Sequence, residues 1–163
     1  MAEDRNLDTL KQEYKIIQEK YNLPSFDELN RDFAIEKAVE IQTDYLIREI
    51  RKLVADRIYN YMRLMEVMMN PQNAPLYIFS LIKTMNEDDK KKLSDIYKKF
   101  SDNEIALIKM DIHFDEEKEA EFINKIFKIF NEDIRIKFLA IVEKLGNGEG
   151  KKKSKESNGS YFG

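Results

Sequence analysis

The spacing of hydrophobic residues predicts helices from near the start of the chain. Apolar and aromatic residues recur at steps of three and four from Leu7 to Tyr21, which places them on one face of a helix. The same spacing continues to Leu145, and the alternation typical of strands is confined to five residues around Ile112. We therefore predict an all-α fold, a single-domain irregular helical bundle of six or seven helices.

Residues suited to capping mark most of the predicted helix starts. Their side chains can accept hydrogen bonds from the free amides of the first helical turn. The predicted capping residues are Asn6 or Asp8, Ser25 with Glu28, Asn73, Asn86, Ser101 with Glu104, Asp115 and Asn131. Gly146 is the expected stop of the last helix.

One long helix is predicted in the middle of the chain. Residues 35–69 contain neither glycine nor proline. Unbroken, this segment would extend about 50 Å at ~1.5 Å per residue, whereas a compact body of this size is roughly 40 Å across. The helix should therefore protrude, bend or be interrupted, with Thr43 and Asp44 as the favoured interruption. A protruding half would expose its apolar face and favour binding to a partner, and a second copy of the chain is one candidate.

Glycine divides the chain into two parts. All five glycines fall from Gly146 onward, so we predict a helical domain over residues 1–145 and a flexible Gly/Ser/Lys-rich C-terminal tail over 146–163. The glycine-free body cannot build a glycine phosphate loop or a nucleophile elbow. Cysteine is also absent, which excludes thiol chemistry and fits a cytoplasmic protein.

The charge balance disfavours broad nucleic-acid binding without excluding a local patch. Net charge is −3, and the tail contributes four lysines and two glutamates, which leaves the body at −5. The most basic helix face carries Arg48, Arg51 and Lys52. With the tail lysines Lys151, Lys152 and Lys153, this face supports the alternative function of binding a phosphate backbone. The competing interpretation is a solvated face paired with acids from neighbouring helices.

Metal and acid–base chemistry receive little support. His113 is the only histidine and lies two residues from Asp111 and from Asp115. Such a set can bind zinc or iron, but the i, i+3 or i+4 spacing of helical ligands is missing, so we expect a loop with capping acids and no metal or other cofactor. Adjacent carboxylates are expected to stabilise the first turns of helices. These pairs are Asp88 with Asp89, Glu116 with Glu117, and Glu132 with Asp133.

Four methionines end the long central segment, at positions Met62, Met65, Met68 and Met69. Methionine side chains are flexible and polarizable, so they can fill a core or form an adaptable partner surface. Core packing is the favoured interpretation, and a partner surface is the alternative.

The chain ends in two aromatic residues after a basic, flexible arm. Tyr161, Phe162 and Gly163 resemble the hydrophobic–tyrosine–any ending by which proteasome activators enter pockets of the proteasome ring, with Tyr161 as the hydrophobic residue and Phe162 in place of the tyrosine. The resemblance implies docking on a protein partner. Together with the missing catalytic machinery, it favours a non-enzymatic protein–protein interaction or adaptor protein that does not act in a membrane.

Overall fold

A computed structural model describes residues 6–147 of the protein, except for the side chains of Asn73, Tyr77 and Leu81. Of the described residues, 83% are helical and none lies in a strand, which confirms the predicted all-α bundle. The predicted tail motif, Tyr161, Phe162 and Gly163, lies outside the described residues, as do Lys151, Lys152 and Lys153.

Seven helices build the described part of the chain when the last one is taken as continuous. The α-helices are α1 Leu7–Tyr21, α2 Phe26–Phe33, α3 Leu46–Met69, α4 Leu76–Ile82, α5 Glu87–Ser101, α6 Glu104–Ile112, α7 Glu116–Ile129 and α8 Leu139–Gly146. A π-helical stretch, Phe130–Phe138, joins α7 to α8, and short 3₁₀ turns occur at Ile35–Glu40 and Pro71–Asn73.

Helix α3 forms the centre of the bundle. The predicted interruption at Thr43 and Asp44 is confirmed, because the 3₁₀ turn ends at Glu40 and α3 begins only at Leu46. The remaining 24 residues extend about 36 Å at ~1.5 Å per residue, which fits within the body. Helices α1, α2, α5 and α7 pack around α3, so the long helix lies in the core and does not protrude.

Most predicted helix caps are present. The side chain of Asn6 accepts a hydrogen bond from the Thr9 amide at 2.9 Å, and Ser25 with Glu28 forms a complete capping box. Asn86 and Asp115 accept from first-turn amides in the same way. Local sequence is sufficient at these positions because each cap bonds to its own helix.

Three predicted caps are wrong. Asn73 ends the 3₁₀ turn Pro71–Asn73, and α4 begins three residues later at Leu76. Ser101 is the last residue of α5, and its hydroxyl donates to the Lys98 carbonyl at 3.0 Å instead of capping α6. Asn131 begins no helix, because α7 continues past it as a π-helix and its side-chain amide donates to the Phe127 carbonyl at 3.0 Å. Glu132 and Asp133 therefore lie inside a continuous helix and not in a first turn.

Aromatic packing surrounds the π-helical stretch. Phe130, at its start, lies 5.0 Å from the Phe33 ring and 5.9 Å from the Tyr61 ring, measured between centroids. Phe138, at its end, lies 6.1 Å from Tyr61. Both phenylalanines are buried. Both rings therefore face the core side of the same helix.

Candidate interaction site around helix α6

A buried arginine ties α6 to the rest of the protein. Arg51 of α3 is only 2% exposed. Its Nε donates to Glu119 Oε2 of α7 at 2.5 Å, and its Nη2 donates to Asp111 Oδ1 near the end of α6 at 2.6 Å. One guanidinium thereby fixes three helices relative to one another, with the charge-assisted geometry that arginine and carboxylates favour.

The network around Arg51 includes polar atoms that lack a partner among the described residues. Glu119 is completely buried, and its Oε1 makes no hydrogen bond there. Burial raises the pKa of Glu119, and the hydrogen bond from Arg51 offsets this only in part. Arg48 Nε is also buried without a partner. These atoms are held in place by the surrounding packing and do not reach solvent.

The loop after α6 is held by the same group of side chains. Arg48 Nη2 donates to the Asp111 carbonyl at 3.0 Å, and the guanidinium lies 5.9 Å from the centroid of the Phe114 ring. Tyr45 packs edge-on against Phe114, with 4.7 Å between centroids. The position of α6 is therefore set by contacts at its C-terminal end.

Helix α6 carries apolar residues on the side away from the core. Leu107 and Met110 are buried, whereas Ile105, Ile108 and Ile112 are 62%, 53% and 81% exposed. These three isoleucines are spaced i, i+3 and i+7, so at 3.6 residues per turn they form one continuous line on the outer face. We call this line the isoleucine stripe. Contiguous exposed apolar surface of this kind marks interaction sites.

A groove of about 430 Å³ opens between α6 and α7. Buried Met110 and Phe122 form its floor. The other lining residues are Asn103, Ala106, Lys109, His113, Lys118, Glu121 and Lys125. Three of its lining side chains are thus lysines and one is a glutamate, and we call this feature the α6–α7 groove.

No protein-family model, curated protein or solved structure matches this chain.

The basic helix face predicted from sequence is largely engaged within the protein. Arg51 is buried between two carboxylates, and Arg48 is half-buried over Phe114. Lys52 Nζ lies 2.9 Å from Glu49 Oε1 on its own helix. Arg48 and Arg51 therefore act in holding α6, and Arg51 has no surface to offer to a phosphate.

The methionines at the end of α3 divide unequally between core and surface. Met62, Met65 and Met68 are buried, and Met69 is 38% exposed. The first three contribute to the hydrophobic core around α3, so a partner on this face would meet Met69 and not the other three.

His113 is exposed in the loop between α6 and α7, and it lines the α6–α7 groove. Asp111 is engaged by Arg51 and Asp115 caps α7, so neither carboxylate is directed to a shared site with His113. Within residues 6–147, no three His, Asp or Glu side chains are placed to hold a metal ion.

The carboxylate pairs have separate structural roles. Asp88 and Asp89 lie in the first turn of α5, and Glu116 and Glu117 lie in the first turn of α7, as predicted. Asp133 is instead fully buried in the π-helical stretch, with Lys99 Nζ and Lys137 Nζ at 2.7 and 2.6 Å from its carboxylate.

None of the helices in the described range is long and apolar enough to span a bilayer.

Sequence reasoning missed both features of α6. The segment Glu104–Ile112 is apolar on most sides, which exceeds what one core-facing stripe requires. This excess of apolar residues could have predicted the isoleucine stripe from sequence. The groove had no sequence signal, because its lysines come from two helices whose relative placement depends on the buried Arg51.

Proposed function

We propose that the protein is a non-enzymatic interaction or adaptor protein, and that α6 binds an amphipathic helix of a partner protein through the isoleucine stripe. The observation that carries this proposal is the outward position of Ile105, Ile108 and Ile112 on a helix whose other face already packs on the core. Removing an isoleucine from water contributes about 1.5–3 kcal/mol when burial is complete.

The charges beside the stripe favour a helix of a particular polarity. At 3.6 residues per turn, Glu104 lies along one edge of the stripe and Lys109 along the other. A partner helix with a basic edge facing Glu104 and an acidic edge facing Lys109 would satisfy both. Such complementarity fixes orientation and favours the correct partner more than it adds affinity.

The Arg51 network supports the same proposal. A binding face that is already fixed loses less conformational freedom when its partner binds. Because Arg51 and Arg48 hold the end of α6 through Asp111, the stripe is presented on a rigid helix. The absence of cysteine is consistent with such a role in the cytoplasm.

A pair of designed peptides tests the proposal. Both are amphipathic helices with one leucine stripe; in the matched peptide lysines flank the side facing Glu104 and glutamates the side facing Lys109, and in the swapped peptide these charges are exchanged. We expect the matched peptide to shift the backbone NMR signals of α6 and to bind several-fold more tightly than the swapped peptide at low salt.

Ile108→Glu should remove matched-peptide binding, whereas Ile136→Glu, on a separate exposed apolar face, should leave it unchanged. Equal binding of both peptides, or shifts that avoid α6, would contradict the proposal. Dimerisation of the protein that is lost with Ile108→Glu would assign the stripe to a second copy of the chain and would also contradict it.

A further inference from the structure

The α6–α7 groove combines an apolar floor with a positively charged rim. Met110 and Phe122 are 3% and 5% exposed, and both line the groove. Its volume of about 430 Å³ lies within the range of roughly 300–1,000 Å³ that is usual for small-molecule sites. Clefts of this kind bind ligands through apolar contact, and a few polar groups fix the ligand's orientation.

The lysines on this rim lack close acidic partners. Lys109 and Lys125 make no ion pair with a described residue, and Lys118 reaches Asp115 only at 3.5 Å. Seven of the fourteen other described lysines lie within 2.9 Å of a carboxylate oxygen, namely Lys20, Lys52, Lys90, Lys92, Lys99, Lys137 and Lys144. The groove is distinguished by having three lysines with no such close partner around one apolar cleft.

The groove is therefore a local site of positive charge on an acidic body. Three lysines against Glu121 leave the lining at +2, whereas residues 1–145 carry −5. Like charges that line one groove repel one another, and an anion placed among them relieves that repulsion.

Two other cavities lack this combination. The cavity beside α5 and the π-helical stretch contains four lysines but also three aspartates, one of them the buried and doubly paired Asp133. The cavity between α1 and the start of α3 is lined by Glu13, Asp44 and Glu116 with no basic residue. Their linings carry net charges of +1 and −3, so neither concentrates positive charge as the α6–α7 groove does.

We propose that the α6–α7 groove binds a small amphiphilic anion, with a carboxylate or phosphate head between Lys109, Lys118 and Lys125 and an apolar body on Met110 and Phe122. This site shares Lys109 with one edge of the proposed partner surface, but it does not rest on the isoleucine stripe, because Met110 and Phe122 form its floor.

Three probes separate the contribution of the head from that of the apolar body. Octanoate carries both, octan-1-ol lacks the charge, and inorganic phosphate lacks the chain. In NMR titrations of the full chain labelled with ¹⁵N, we expect octanoate to shift signals around Met110 and Phe122 in a saturable manner. Octan-1-ol and phosphate should each bind at least tenfold more weakly. Octyl phosphate, titrated in the same way, shows which head binds more tightly.

Charge-reversal variants test the role of the lysines. Lys109→Glu combined with Lys125→Glu should weaken octanoate binding at least tenfold, whereas Lys128→Glu, exposed on α7 outside the groove, should not change it. Ala106→Phe places a ring in the groove from an exposed position and should abolish binding while the NMR spectrum of the fold is retained. Ile108→Glu should leave octanoate binding intact, which separates this site from the isoleucine stripe.

Equal affinity for octanoate and octan-1-ol would overturn the proposal, because the groove would then be apolar without selecting anions. Unchanged octanoate binding in the double lysine variant would overturn it as well. So would the failure of both octanoate and octyl phosphate to shift any groove signal.

Discussion

Ala34 adopts a backbone conformation that glycine usually provides. It follows α2 with φ 54° and ψ 48°, and its amide donates to the Asn30 carbonyl at 2.8 Å. The left-handed region costs a residue with a Cβ about 1–2 kcal/mol. The body of this protein contains no glycine, so alanine carries this strain at the turn between α2 and the 3₁₀ segment.

Ala34→Gly should therefore stabilise the protein. Relief of the left-handed strain exceeds the added freedom of glycine in the unfolded chain, which offsets about 0.4–1 kcal/mol, so we expect a net gain of about 0.5–1 kcal/mol. Urea denaturation measures the difference in unfolding free energy. The control, Ala140→Gly in exposed helical backbone of α8, should lose about 1 kcal/mol. A loss at position 34 of similar size would show that no strain is stored there.

The Arg51–Glu119 pair should show strong coupling between its two members. Arg51→Met alone leaves Glu119 buried without its cation, a change that typically costs about 3–5 kcal/mol. Arg51→Met combined with Glu119→Leu should recover most of that loss, because no uncompensated charge remains. Urea denaturation of both single variants and the double variant gives the coupling energy. Additive losses would show that the two side chains act independently.

Asp133 should make the folding stability of the protein depend on pH in the acidic range. Burial by itself raises the pKa of this carboxyl, but the hydrogen bonds from Lys137 and Lys99 outweigh it and hold the pKa below its usual value. A depressed pKa in the folded state contributes stability above the unfolded pKa of about 3.9. That stability is lost as the pH falls through the lower folded pKa.

Asp133→Asn should consequently be less stable than the wild type at pH 7, and the difference should shrink as the pH falls below about 4. Thermal unfolding across this pH range measures it. Glu132→Gln, at an exposed neighbouring position, serves as the control and should follow the wild-type profile. A gap between Asp133→Asn and the wild type that stays constant down to pH 2 would contradict the assignment.

At the scale of elements, local sequence was sufficient to predict four helix caps. Asn6, Ser25, Asn86 and Asp115 cap their helices because each side chain bonds to amides of its own first turn. Asn131 has the same chemistry but no helix to start. Packing of the flanking aromatic residues keeps the helix continuous there, and such tertiary contacts are not visible in local sequence.

The two faces of α6 should respond differently to substitution. Ile112→Glu, at a position 81% exposed, should change the unfolding free energy by no more than about 0.5 kcal/mol. Leu107→Ala, on the buried face, should cost about 2–5 kcal/mol. Urea denaturation of the two variants compares them directly. A large loss from Ile112→Glu would mean that the stripe stabilises the fold and is not available to a partner.

At the scale of the whole molecule, the fold buries Arg51 of the sequence-predicted basic face and leaves the unpredicted isoleucine stripe exposed. The class of fold followed from hydrophobic periodicity alone. The site did not, because periodicity does not reveal which side of α6 meets the core. That orientation depends on Arg51, which reaches Asp111 sixty residues later in the chain.

Site-specific photo-cross-linking in the cells that express the protein tests the central claim most directly. A benzophenone amino acid replaces Ile108 on the stripe, or Lys128 on an exposed part of α7 as the control. We predict an adduct at position 108 alone, cross-linked to an amphipathic helix of another protein whose basic edge can face Glu104, and lost when Ile105 and Ile112 are changed to glutamate. An adduct no stronger than that of the control, or one formed only with a second copy of this chain, would contradict the account.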